Sequence, residues 1–162
     1  MNDTITRREA LLVTAMGAAF AGCGNADADD TTSASMKYVR VYADEQGGSH
    51  FEDMELEITQ GELGTANVPK VGISRAFSTS KMFFVTAEVK RPEHREITWH
   101  TAPARQFVIW LTGKIEIETS DGEKRTFGPG DIVLAEDTTG KGHISRNLSD
   151  VVLAFIPLSE EK

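Results

Sequence analysis

The chain has only one cysteine and no long apolar run. Its single Cys23 has no second thiol with which to form an intramolecular disulfide bond, so packing alone must stabilise the folded part. No apolar stretch reaches the roughly 18 to 20 residues that cross a bilayer, which excludes a permanent transmembrane helix. With 162 residues, the chain has room for one domain and a short appendage.

Positive charge is also scarce. Lys and Arg together number 17 against 25 Asp and Glu, which gives a formal net charge of −8 at pH 7. An anionic surface repels the phosphate backbone that nucleic-acid-binding proteins attract. We therefore exclude nucleic acid as a partner.

Residues 1–23 have the features of an export signal peptide. A basic pair, Arg7 and Arg8, precedes an apolar stretch from Ala10 to Gly22 that is too short to span a membrane. The segment resembles a twin-arginine signal, and Phe20–Cys23 resembles the lipobox at which bacterial lipoproteins are cleaved and lipidated. This resemblance implies export to the periplasm or to an extracytoplasmic membrane surface, with Cys23 as the lipidation site. The alternative interpretation is a frayed helix with an incidental arginine pair.

The segment that follows is polar. It is rich in Asp, Ala, Thr and Ser and has almost no large apolar residue, so it cannot bury enough surface to become ordered. We predict a disordered tether over residues 24–36 and a folded domain over residues 37–162.

The folded domain has the pattern of an all-β protein, since short apolar runs alternate with turn residues and no window keeps a helical period. The predicted strands are Lys37–Tyr42, Phe51–Ile58, Lys81–Val89, Arg95–Thr101, Arg105–Leu111, Ile115–Thr119, Lys124–Phe127, Ile132–Ala135, His143–Asn147 and Val151–Pro157. Thr112–Lys114 and Ser120–Glu123 have the composition of hairpin turns, and Gly61–Ser80 that of a long loop. This many short strands predicts a sandwich or a barrel.

Two motifs resemble those of the cupin superfamily. In the first, His100, Ala102, Gln106 and Gly113 occupy the positions at which the family has His, His, Glu and Gly. The resemblance implies a double-stranded β-helix, or jelly-roll barrel, which in this family commonly holds a metal ion between its two sheets. Two of the first motif's three metal ligands are altered here.

The second motif comprises Phe127–Asp131 and His143–Asn147, with His143 and Asn147 at the family's interval. The intervening segment Glu136–Gly142 lengthens the loop before the histidine. Its glycines predict a flexible loop.

The resemblance implies a metal site formed by His100, Gln106 and His143. Imidazole nitrogen and amide oxygen suit Zn, Fe, Mn or Ni with positions left open for water and substrate. Because alternate residues of a strand share a face, further pocket residues are expected on the strands that carry Gln106 and His143. They are Val108, Trp110, Ser145 and Asn147.

Two functions stay open at this point. One is a metal-dependent enzyme that acts on a small polar molecule in the barrel pocket, and the other is a metal-free domain that binds a small ligand without catalysis. No serine or cysteine nucleophile and no phosphate-binding loop is recognisable. The expected partners are a small molecule, a second copy of the chain in a homodimer, and a membrane only through a lipid on Cys23. The homodimer follows from the family's habit and from apolar strand edges at Lys37–Tyr42 and Lys81–Val89.

Overall fold

A computed structural model describes residues 34–64 and 67–159. In these two ranges the chain forms eleven β-strands and a single-turn 3-10 helix, Pro92–His94. The strands are β1 Ala34–Ala43, β2 Ser49–Gly61, β3 Val71–Ile73, β4 Phe83–Ala87, β5 Glu96–His100, β6 Gln106–Thr112, β7 Ile115–Glu118, β8 Lys124–Phe127, β9 Ile132–Glu136, β10 His143–Asn147 and β11 Val151–Pro157. This part of the chain contains no helix that is long and apolar enough to cross a membrane.

The strands form two sheets whose order is that of a jelly roll. One sheet runs β3-β2-β1-β9-β6-β11-β4 and the other runs β5-β10-β7-β8. From β4 to β11 the chain crosses repeatedly from one sheet to the other. Four of these strands, β4, β11, β6 and β9, pair antiparallel in the first sheet, and the other four, β5, β10, β7 and β8, pair antiparallel in the second. Such crossing between two packed sheets defines the jelly roll. The predicted all-β, cupin-like jelly-roll fold is confirmed.

The core lies between the two sheets because alternate residues of each strand point inward. Along β6, for example, Gln106, Val108 and Trp110 are buried, whereas Phe107 and Ile109 are only partly so. The largest apolar cluster joins residues of both sheets: Val41, Phe51, Val108, Trp110, Ile115, Ile117, Phe127, Val133, Val151 and Leu153. The alternation that predicted the strands therefore also determines which side chains face the space between the sheets.

All ten predicted strands are present, and two differences stand out. The short strand β3 lies within Gly61–Ser80, which the sequence had marked as loop. β1 begins at Ala34, which pairs with Ile58, so the tether predicted over residues 24–36 ends at least three residues earlier. The remainder of that tether, the export signal over residues 1–23 and Cys23 lie outside the described residues.

One of the two predicted hairpins is wrong. Ser120–Glu123 does join the antiparallel pair β7 and β8, but Thr112–Lys114 carries the chain from one sheet to the other, so β6 and β7 do not pair. The turn contains Gly113 at φ 78°, with its α-carbon against the carbonyl of Asp150. A turn signal shows that the chain reverses, but not that the flanking strands join the same sheet.

The N-terminal hairpin extends the larger sheet. β1 pairs antiparallel with β2 and parallel with β9, so Lys37–Tyr42 lies inside the sheet and is not the open edge on which the homodimer prediction partly rested. β4, within Lys81–Val89, does lie at the end of the sheet, and Phe84 on it is exposed. The homodimer stays a prediction that now depends on the family resemblance and on the β4 edge.

His50 on β2 connects two turns at one end of the barrel. Its Nε2 lies 2.8 Å from Asp44 Oδ2, and its Nδ1 lies 2.8 Å from Asp121 Oδ2. Because both ring nitrogens face carboxylates, hydrogen bonding to Asp44 and then to Asp121 raises the pKa of His50. The protonated ring therefore links the β1–β2 turn to the β7–β8 turn.

This link predicts a pH-dependent contribution to stability. Since the pKa of His50 is higher in the folded state, its contribution is fully present below about pH 6.5 and is lost as the pH rises through the raised folded value. The three side chains are about one-third exposed, so we expect the melting temperature of His50→Gln to be lower than that of the parent by about 1 to 3 °C at pH 6. The difference should shrink toward pH 9. Thermal unfolding of both proteins across this range measures it, and a difference that does not vary with pH would contradict the link.

Candidate functional site

The fold brings together the three predicted metal ligands. His100 is the last residue of β5 and pairs with His143, the first residue of β10. Their ring centroids are 4.4 Å apart and the rings are tilted by 57°. Gln106 begins β6 on the facing sheet, and all three side chains line one cavity.

Gln106 is almost completely buried, with 2% of its surface exposed, and its Oε1 has no hydrogen-bond partner among the described residues. A buried acceptor without a donor costs roughly 1 to 3 kcal/mol, so natural proteins seldom leave one without a reason. This oxygen is available to a cation or to a hydrogen-bond donor that enters the cavity.

His143 is held by a residue that the sequence analysis missed. Asp137 is completely buried, and its Oδ2 accepts a hydrogen bond from His143 Nδ1 over 2.6 Å. In a neutral ring this contact places the proton on Nδ1 and leaves the lone pair on Nε2. The second carboxylate oxygen, Oδ1, is buried without a partner. The sequence offered one indication of this role, an acidic residue six positions before His143 in an inserted loop. Ordinary turn residues have the same character, so the indication was not specific.

The loop that carries Asp137 is bonded to the N-terminal hairpin at Lys141 and Gly142, and the flexibility predicted for Glu136–Gly142 stays a prediction. Ser49, which is fully buried in β2, donates from its Oγ to the Gly142 carbonyl over 2.6 Å. The Lys141 amide donates to the Gly47 carbonyl over 2.9 Å. Gly140 and Gly142 have positive φ and lie directly against the main chain of Gly47 and His100, respectively. These glycines permit close packing of the loop against the main chain.

His100 is oriented by the main chain. Its Nδ1 donates to the carbonyl of Thr98 over 2.8 Å, so the neutral ring carries its lone pair on Nε2. Burial lowers the pKa of His100, and the nearby His143 adds to this, although the carbonyls of Thr98 and His143 oppose it. The neutral imidazole is therefore the favoured form at neutral pH.

The cavity has a volume of about 150 Å³ and lies between the two sheets. The four predicted pocket residues, Val108, Trp110, Ser145 and Asn147, all line it. The Asn147 amide donates to the carbonyl of His94, so this side chain is already used within the protein. Trp110 is 2% exposed, and within residues 34–64 and 67–159 its indole Nε1 has no hydrogen-bond partner. The cavity therefore combines a mostly apolar wall with polar groups that are free to bind a ligand.

The chemical nature of the ligand atoms determines which metal ions the candidate site suits. Among the described residues, no three His, Cys, Asp or Glu side chains lie close enough together to hold an ion, so a site here consists of two imidazoles and the amide oxygen of Gln106. The free Gln106 Oε1 and the contact between Asp137 and His143 both fit such a site, because metal-binding histidines commonly donate their other nitrogen to a carboxylate. With no directly bound carboxylate, the set fits a weakly held divalent ion whose remaining positions take water or substrate.

Comparison with known proteins yields structural likeness alone. No protein-family model matches the sequence, and no curated protein matches it. The solved structure of protein NMB1881 from Neisseria meningitidis is similar with a TM-score of 0.39 and 19% identity, over 48% of this chain and 72% of that one. A candidate ethanolamine utilization protein Q from Salmonella typhimurium is similar with a TM-score of 0.28 and 9% identity, over 79% of this chain and 96% of that one. Such distant likenesses concern shape only, and the cupin-like assignment of the fold depends on the strand order itself.

Proposed function

We propose that this protein is a member of the cupin superfamily and a metal-dependent enzyme that acts on a small molecule in the barrel cavity. His100, Gln106 and His143 hold the divalent ion, which is Zn, Fe, Mn or Ni. The observation that supports this most strongly is the buried, partnerless Oε1 of Gln106, which shares one cavity with two imidazoles whose Nδ1 atoms are already bonded. A bound ion supplies Lewis-acid activation of water or of a substrate oxygen.

The residues of the chain contribute position and environment. The Thr98 carbonyl and Asp137 fix the rings of His100 and His143 so that each presents its Nε2 lone pair. The apolar walls between the sheets exclude water, which strengthens every polar contact in the cavity. Asp137 also places a carboxylate beside an otherwise uncharged ligand set, so it partly compensates the charge of a cation.

The test is metal binding by the parent and two site variants. We expect Gln106→Glu to bind Zn²⁺ or Mn²⁺ about tenfold or more tightly, because a carboxylate in this buried position is favourable only beside a cation. We expect His143→Ala to lose most of the metal, and His50→Gln, a histidine outside the cavity, to bind as the parent does. Elemental analysis and calorimetric titration measure these affinities. A parent that binds no divalent ion even at millimolar concentration would exclude the metal-dependent function, and Gln106→Glu should then destabilise the fold near neutral pH.

A second candidate is a metal-free domain that binds a small ligand. It is favoured by the absence of any cluster of three His, Cys, Asp or Glu side chains within residues 34–64 and 67–159. In this case Gln106 and the two imidazoles accept hydrogen bonds directly from the ligand. Ligand binding that persists unchanged after exhaustive chelation distinguishes this function from the first.

Residues 1–23 are the basis of a proposal about where in the cell the protein is located. We propose that the protein is exported by the twin-arginine route and anchored by a lipid on Cys23. Replacing Arg7 and Arg8 by Lys should leave full-length precursor inside the cell, and Cys23→Ser should release the domain from the membrane fraction because the anchor depends on that sulfur. Immunoblots of fractionated cells measure both effects, and normal processing of the arginine variant would exclude the route.

A further inference from the structure

The wall of the cavity carries no full charge. Apart from His100, Gln106, His143, Ser145, Asn147 and the indole N–H of Trp110, the described side chains that line it present only carbon, and none is Asp, Glu, Lys or Arg. A carboxylate or ammonium group that enters such a space loses its hydration and gains no opposite charge from the wall. Without a bound ion, the lining therefore selects against ionised molecules.

The volume limits the size of the occupant. An apolar cavity of about 150 Å³ can hold a molecule as large as benzene. A sugar ring with several hydroxyl groups would leave most of them unpaired against Val, Ile and Leu side chains, at a cost for each. The wall is therefore suited to one compact hydrocarbon body.

The polar groups are concentrated where the strands bring the histidines together. His100 and His143 are paired across β5 and β10, and Gln106 begins the facing strand β6. Among the described residues, the amide oxygen of Gln106 is a buried acceptor without a hydrogen-bond partner. A ligand with one hydroxyl group at this position can donate its hydrogen to that oxygen while its hydrocarbon body contacts the apolar wall.

We infer that the cavity, with no ion bound, takes an uncharged, mainly apolar molecule of about one ring, with a single hydroxyl or similar head group directed at Gln106 and the histidines. The inference concerns the side chains alone, so it does not depend on the proposed metal site. Phenol is a suitable probe because it is neutral at pH 7.5, and benzoate is its ionised counterpart of similar size.

The experiment measures probe binding to full-length protein after chelation, so that the side chains act without an added ion. Trp110 reports binding by its fluorescence in a Trp99→Phe background, because Trp99 is on the surface against Lys141 and does not line the cavity. We expect phenol to bind about tenfold or more tightly than benzoate. In Ala87→Leu, a larger side chain on β4 fills part of the cavity and should lower phenol affinity by about tenfold or more.

Thr86→Leu is the matched control, since Thr86 precedes Ala87 on the same edge strand but is exposed and outside the lining. It should bind phenol within about twofold of the parent. A rise in melting temperature with phenol in the parent and Thr86→Leu, but not in Ala87→Leu, gives a second measure of the same binding.

Tighter binding of benzoate than of phenol, no response of Trp110 to either probe, or unchanged phenol binding in Ala87→Leu would overturn the inference. Failure of the proposed function looks different. A protein that binds no metal but still binds phenol in a manner sensitive to Ala87→Leu keeps the ligand class and loses the metal. A protein that binds metal but not phenol keeps the proposed function and loses this inference.

Discussion

Gly142→Ala is expected to destabilise the domain by about 3 kcal/mol and to lower its melting temperature by about 6 to 12 °C. Two costs combine at this position. The backbone has φ 70°, which disfavours any residue with a Cβ, and a Cβ placed there would overlap the carbonyl group of His100. The main chain on one side or the other must therefore move, and the paired histidines move with it. Thermal or urea unfolding measures the loss.

Gly122→Ala is the control for this variant. Gly122 has φ 90° in the β7–β8 turn, but a Cβ at this position meets no atom within 4 Å. It therefore carries the backbone cost of about 1 to 2 kcal/mol without the overlap. Equal losses in the two variants would show that loop 137–142 accommodates a methyl group, which would contradict the close packing described for it.

Asp137→Asn is expected to keep the fold and to lower the affinity for a divalent ion by about 10- to 100-fold, as the loss of a partner behind a metal-binding histidine commonly does. Asn is nearly isosteric with Asp, but its amide is uncharged and can donate as well as accept. It therefore no longer requires the His143 proton to lie on Nδ1. Calorimetric titration with Zn²⁺ measures the affinity.

A measurement made without metal distinguishes orientation of the His143 ring by Asp137 from a purely structural role of Asp137. In the parent, ¹⁵N NMR of the His143 ring should show a single tautomer with the proton on Nδ1, and Asp137→Asn should show a mixture. Asp150→Asn serves as control, because Asp150 is an exposed acceptor for the Val89 amide and lies outside the cavity lining. An unchanged ring spectrum together with unchanged metal affinity in Asp137→Asn would leave Asp137 with a purely structural role.

The strands were predictable because their side chains alternate with a period of two, which is a local property. Gln106, Val108 and Trp110 could be assigned to one face of β6 on this basis, and they are all buried. β3 was not predictable, since three residues are too few for an alternation to be recognised. The crossing at Gly113 was missed because the choice of sheet depends on strands far along the chain.

The candidate site was predictable only as far as its histidines and Gln106. The sequence pattern placed these residues on three strands, and the structure brings them to one cavity. Asp137 and Ser49 were missed for a common reason, which is that their roles exist only after distant parts of the chain meet. Ser49 bonds a carbonyl 93 residues away, and Asp137 contacts the His143 ring and accepts the Ala102 amide at its main-chain carbonyl.

The order in which this domain assembles follows from the parallel pairing of β1 with β9. Parallel neighbours require a long crossover, and here it includes most of the barrel, so the entropy of closing a very long loop opposes the contact until the intervening strands have formed. Contacts so distant in sequence slow folding. The hairpin of β1 and β2 is synthesised before the other strands, but its partner β9 is synthesised much later. We therefore expect the contacts between the hairpin and loop 137–142 to form among the last steps of folding, together with the part of the cavity wall that Val41 supplies.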